Sequence, residues 1–176
     1  RLRGAKACGV RANQELYEQH ELTLLEKVVE RGGRLLIVGD PTRVTFTNAI
    51  NSLAGHFGVI YEDDYIYNLE ENDGNYLNVI LRDFAESPIT EGLDEIVVRA
   101  AHSIRVAEGG LVFGDENTYS SLRETPGDVT VAALTSGGNV LALPDLTFLT
   151  GPYNTLADND LFIDNVVAFL LSGNRQ

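Results

Sequence analysis

Two aspartates in this sequence each stand just beyond an aliphatic run and two positions before a threonine. Asp40 follows Leu35 to Val38 and precedes Thr42, and Asp145 follows Leu141 to Leu143 and precedes Thr147. A third, Asp158, opens the last amphipathic segment. Carboxylates with neighbouring hydroxyls at the carboxyl ends of parallel strands could hold a hard cation or bond the hydroxyls of a polar ligand, because oxygen groups match both. Asp40, Thr42, Asp145, Thr147 and Asp158 are therefore the candidate ligand-binding residues. The same positions have a structural reading, which is the stronger one: Asp40 before Pro41 caps a helix, and Asp145 to Thr147 forms a turn. Gathered around a divalent cation, Asp40, Asp145 and Asp158 could alternatively activate water in a metal-assisted hydrolase.

Other chemistry lacks its parts. His20, His56 and His102 fall in separate segments without the spacing of a zinc site. Cys8, the single cysteine, excludes an internal disulfide and lies away from any strand-to-helix turn where a nucleophile would be activated. No nucleophile elbow and no phosphate loop is present. The acidic stretches Glu62 to Asp64 and Glu70 to Asp73 do not have calcium-loop spacing; they read as solvated loops or as a docking surface for a basic partner. No catalytic residue, metal site or cofactor is implied.

A net charge of -13 argues against nucleic acid, whose binding draws on clustered Lys and Arg. No apolar run approaches the roughly 18 to 20 residues that span a bilayer, so direct membrane insertion is not expected of these 176 residues. The opening Arg1 to Ala7 reads as the interior of a longer chain.

The elements that would position the candidate residues follow from periodicity. Leu16, Leu22, Leu25, Val28 and Val29 recur at helical spacing before Gly32 and Gly33, and Arg34 to Val38 is a strand buried on both faces. A helix from about Thr42 to His56 follows. Strands are expected at Ile96 to Arg99, Ser103 to Val106 and Leu111 to Gly114, with Asp115 to Asp128 polar and turn-rich. Val129 to Leu134 and Asn139 to Leu143 flank Gly137 and Gly138 as a hairpin or as two strands of the sheet. A helix from Asn159 to Leu171 closes the chain, capped by Asp158. This order predicts an α/β three-layer sandwich with a mostly parallel central sheet, flavodoxin-like or class I amidotransferase-like. Residues 1–12 form an irregular segment before a single domain over residues 13–173.

Four stretches carry a family resemblance: Gly32 to Asp40, Asn48 to Val59, Asn139 to Asp145, and Asp158-Asn159 with Asn165. Together they resemble a glutamine-amidotransferase-like domain lacking the catalytic cysteine, of the kind found in gliding-motility ABC-transporter auxiliary proteins and in intraflagellar-transport proteins. The resemblance implies a non-catalytic binding or scaffolding domain of a larger, membrane-associated assembly, with a protein or glycan partner. A structural subunit of a surface or filament assembly, contacting neighbours through an edge strand or through Tyr61, Tyr65, Tyr67 and Tyr76, is a further alternative.

Overall fold

The computed structural model describes residues 6–11, 15–40 and 47–173. The chain runs β1 (Ala7–Arg11), α1 (Gln19–Glu30), β2 (Arg34–Val38), α2 (Thr47–Ala54), β3 (Val59–Tyr61), β4 (Ile66–Asn68), β5 (Asn78–Leu81) and β6 (Asp83–Phe84). It continues through β7 (Ile96–Arg99), β8 (Ile104–Val106), β9 (Gly110–Phe113), β10 (Thr118–Ser120), β11 (Thr130–Thr135), β12 (Val140–Leu143) and α3 (Asn159–Leu171).

The aliphatic runs behave as their composition demands. Side chains alternate across a strand, so in β2 and β12 each face receives half the residues. Leu35 and Ile37 join Val140 and Ala142 in one core under α1 and α2. Leu36 and Val38 join Leu141 and Leu143 in a second core with α3 and the β5–β7 ribbon. The turn into β2 is tight: a Cβ on Gly33 would lie 2.7 Å from the Val28 carbonyl oxygen, so only glycine lets the end of α1 pass this close.

The expected three-layer sandwich with a mostly parallel sheet is not what forms. The fold is strand-rich, a mixed sheet curled into a half-barrel with three α-helices among the described residues. Among the described residues, only β1, β2 and β12 are parallel neighbours. β12 then pairs antiparallel with β11, and β11 branches: Thr130 meets Ile104 of β8 on one edge and Phe113 of β9 on the other. β8 leads to β3 and β9 to β6, both antiparallel. Two further ribbons, β4 with β10 and β5 with β7, are also antiparallel. The aliphatic run at β2 was a local signal of a parallel, doubly covered strand; antiparallel strands of two to four residues carry too little periodicity to be weighed against it.

Several expectations change with this result. The N-terminal segment expected to be irregular holds β1, which pairs with all of β2 from Ala7↔Arg34 to Arg11↔Val38. The acidic excursion after Tyr61 contains β4, and the polar stretch from Asp115 to Asp128 contains β10. Residues 129 to 143 resolve both alternatives at once, since β11 and β12 form a hairpin and β12 also pairs with β2. The terminal helix occupies the expected residues.

Candidate functional site

β2 and β12 run side by side with Val38 opposite Leu143, and the Gly39 amide donates to the Leu143 carbonyl at 2.9 Å. Asp40 and Asp145 therefore step off adjacent parallel strands together. Gly39 is required at this exit, because a Cβ there would sit 2.8 Å from the Pro144 oxygen and 3.0 Å from the Tyr61 ring. The Tyr61 hydroxyl lies beneath, 3.0 Å from the Ile37 carbonyl oxygen and 3.1 Å from that of Leu143.

The two aspartates differ in setting. Asp40 is half-buried. Asp145 is 1% exposed, and its carboxylate accepts from the Thr147 amide at 2.7 Å and from the Arg99 amide at 3.1 Å. Burial pushes its pKa above the ordinary aspartate value and the charge of Asp40 adds to the rise, while the bonds from Thr147 and Arg99 oppose it. Thr147 is thus the turn residue that closes on Asp145. Thr42, and with it the helix start that Asp40 was expected to cap, lies outside the described residues.

Asp158 serves the same strand as Asp145, at its other end. Its carboxylate accepts from the Asp94 amide at 2.8 Å and the Glu95 amide at 3.0 Å. It makes no side-chain cap on α3, contrary to expectation. Those two amide bonds hold its pKa below the ordinary value. Between the two aspartates stands Asn159, fully buried, whose Oδ1 accepts from the Val97 amide at 3.0 Å while its Nδ2 donates to the Val97 carbonyl at 2.8 Å. The same Nδ2 donates to the Tyr153 carbonyl at 2.8 Å.

A pattern emerges along β7. One of its edges pairs with β5. On the other, the amides of Glu95, Val97 and Arg99 recur with a period of two and are met by Asp158, Asn159 and Asp145 in turn. Three side chains replace a neighbouring strand, which satisfies the buried Val97 amide and the half-buried amides on either side of it. Asn51 does the same at the end of β3, accepting from the Tyr61 amide and donating to the Tyr61 carbonyl, both at 2.8 Å.

This arrangement decides what the candidate carboxylates can do. Glu95 and Arg99 are four residues apart on an extended strand, so the groups bonded to their amides stand about 13 Å apart. Asp145 and Asp158 cannot share one cation, whose ligands lie within about 2.6 Å of it. No group of three or more His, Cys, Asp or Glu side chains that could hold a metal occurs among the described residues. The structure brings Asp40, Asp145 and Thr147 together and leaves Asp158 apart. No helix among the described residues is long and apolar enough to cross a membrane.

No family model matches the sequence, and no curated protein matches it. A solved structure does: the mmIFT52 N-terminal domain superposes with a TM-score of 0.80, covering 96% of this chain and 80% of that one, at 16% sequence identity. This chain shares the fold of that domain. At such identity the likeness is one of fold.

Two features escaped the sequence reading. The first is a second buried carboxylate. Asp64, in the stretch read as a solvated loop, is 5% exposed and accepts from the Ser103 amide at 2.8 Å, the Ser103 hydroxyl at 2.7 Å and the Ser120 hydroxyl at 2.5 Å. His102 packs beside it with Nδ1 3.0 Å from the Asp64 carbonyl oxygen, and burial lowers its pKa, which favours the neutral ring. Asp64 fastens the loop before β4 to Ser120, the last residue of β10, and to Ser103, just before β8, so it holds the β4–β10 ribbon against the body.

The second feature is the outer face of that ribbon. In β4 and β10 the alternating residues Ile66, Asn68, Thr118 and Ser120 are buried, which turns Tyr67 and Tyr119 outward. They are directly opposite in the register and stack at 5.2 Å with 13° between planes. Tyr65 and Tyr76 flank Tyr67 with ring centroids 6.3 and 6.2 Å away. Tyr65 and Tyr76 are about half exposed, and Leu69 and Leu122 are 68% and 64% exposed. The signal for this face was the alternation in Tyr65-Ile66-Tyr67-Asn68 and in Thr118-Tyr119-Ser120, each short enough to pass for loop. Tyr61, grouped with these tyrosines in the sequence, is buried in the core instead.

Proposed function

We propose that this chain is a non-catalytic protein-binding domain of a larger assembly and that the tyrosine face on β4 and β10 is its contact surface. The observation that carries this reading is the clustering of four tyrosines on one side of a ribbon whose opposite side is buried. Tyrosine supplies large, rigid contact area with a polar tip, and aromatic residues concentrate where proteins meet. Asp145 and Asp158, two of the carboxylates that could have served chemistry at the strand ends, hold backbone amides instead. The shared fold with the mmIFT52 N-terminal domain and the sequence resemblance to intraflagellar-transport domains support the same reading. The narrower affiliation, with cysteine-less amidotransferase-like domains of membrane-associated ABC-transporter systems, rests on the sequence resemblance alone.

The test is the size of the native assembly. The chain is tagged in its own host, and extracts are fractionated by size with wild type, with Tyr67→Ala combined with Tyr119→Ala, and with Asp83→Asn on a different strand. The wild type and Asp83→Asn are expected in large fractions, and the double tyrosine variant at the size of the free chain. Retention of the double variant in the same large fractions would sink the proposal.

A further inference from the structure

The tyrosine face lies in acidic surroundings. The two segments that build it, residues 62–76 and 115–124, hold nine carboxylate side chains and one basic residue, Arg123. Of these, Asp64 is buried and internally bonded, Asp115 accepts from Asn68, Asn117 and Thr118, Asp63 accepts from Thr47, Glu62 pairs with Arg105, and Glu71 pairs with Arg82. Glu70 stands next to the exposed Leu69, and Glu116 precedes Asn117, whose Nδ2 donates to Glu70 at 3.2 Å and so draws the two segments together. An aromatic platform beside several carboxylates is the combination that attracts a planar cation: the ring faces carry negative potential, and carboxylates accept a guanidinium in fork geometry.

Among the described residues the protein makes the aromatic half of this contact with its own arginines at two places. The Arg99 guanidinium lies 5.2 Å from the centroid of Tyr153 and also donates to its hydroxyl at 2.6 Å. The Arg34 guanidinium lies 5.1 Å from the centroid of Phe169. Against the tyrosine face, Tyr65, Tyr67, Leu69, Tyr76 and Ser121 line a depression of about 220 Å³. That is below the roughly 300 Å³ where small-molecule sites begin and suits a single long side chain. The ribbon does not offer a free backbone edge at this point, since the Tyr65 carbonyl accepts from the Ser121 amide and the Asn68 amide donates to the Tyr76 carbonyl. Recognition would therefore run through side chains and not through strand addition.

Building on the reading of this face as a protein contact, we propose that its partner presents an arginine-bearing cationic segment. One guanidinium occupies the depression over Tyr67 and Tyr76, and flanking cations meet the carboxylates around it. The overall charge of -13 raises the encounter rate with such a segment, and the aromatic faces supply the preference for arginine over lysine.

The test uses three synthetic peptides of alternating glycine with arginine, lysine or citrulline, titrated into the whole chain by calorimetry at two salt concentrations. The arginine peptide is expected to bind saturably, roughly three- to tenfold more tightly than the lysine peptide, with the neutral citrulline peptide weaker still. Tyr67→Ala with Tyr119→Ala is expected to abolish the arginine-over-lysine preference while leaving the weak, salt-sensitive attraction common to both cations. Tyr76→Ala, at the half-exposed rim, provides a second variant if the double one does not fold. Equal binding of arginine and lysine peptides to wild type, or a preference that survives both tyrosine variants, would overturn the proposal. Two further outcomes separate its failure from failure of the underlying reading. Self-association in sedimentation that the tyrosine variants abolish would overturn the cationic partner yet keep the face as a protein contact. Saturable binding of an oligosaccharide panel lost in the same variants would overturn both.

Discussion

The strand ends and the tyrosine face hold two sets of candidate ligand-facing side chains, and they are built oppositely. At the strand ends Asp145 and Asp158 point inward at the open edge of β7, and Asn159 between them is fully buried. On the β4–β10 ribbon the polar residues Asn68, Thr118 and Ser120 point inward and the aromatic rings point out. A carboxylate just beyond a strand can be a site or a substitute for a missing strand, and the backbone groups beside it decide which. An exposed aromatic cluster has no such internal use to explain it.

The comparison is most directly broken by removing the buried acceptors. Asp64→Ala leaves the Ser103 amide and the hydroxyls of Ser103 and Ser120 without their partner, so a loss of about 3 kcal/mol is expected. Urea unfolding measures it, and a loss below about 1 kcal/mol would show that the ribbon does not depend on this anchor. Asn159→Ala should cost about 2 to 3 kcal/mol, because both polar groups of Val97 lose their side-chain partner. The ribbon face should respond in the opposite way. Tyr67→Ala with Tyr119→Ala removes one stacked pair and should cost only about 1 kcal/mol in the same unfolding experiment, while disrupting the native assembly. If instead the double tyrosine variant unfolds and Asn159→Ala is tolerated, the two regions have been assigned the wrong way round.

The smallest effect is a difference in pH dependence between the two aspartates of the β7 edge. Asp158 has a depressed native pKa, so its contribution is full above the unfolded value of 3.8 and is lost as pH falls through the native one. The destabilisation caused by Asp158→Ala should shrink with acidification. Asp145 has a raised native pKa, so the penalty on its charged form develops as pH rises from 3.8 through the native value. The destabilisation caused by Asp145→Ala should therefore grow as pH falls. Melting curves of both variants and wild type between about pH 3 and 7 check the two trends, and parallel trends would contradict the assigned environments.

Sequence patterns long enough to repeat were legible. The run from Arg34 to Val38 and the helix from Asn159 to Leu171 needed no tertiary knowledge, because several residues in each obey one periodicity. The placement of Asp40 and Asp145 just beyond aliphatic strands was legible for the same reason. Ribbons of three or four residues, such as β4, β5 and β10, were not, and with them went the mixed half-barrel and the tyrosine face.

By itself, then, the sequence determined the doubly buried strand at β2, an aliphatic strand at β12 and the closing helix, all properties summed over neighbouring residues. Tertiary structure alone decided that β7 would have an open edge and that Asp145, Asn159 and Asp158 would fill it. It also decided that Tyr67 and Tyr119, 52 positions apart, would stack on the outside of one ribbon. The physical reason is range. Helical and strand periodicity act over a few residues, whereas the partner of a backbone amide or an aromatic ring is chosen by whichever distant segment the fold brings beside it.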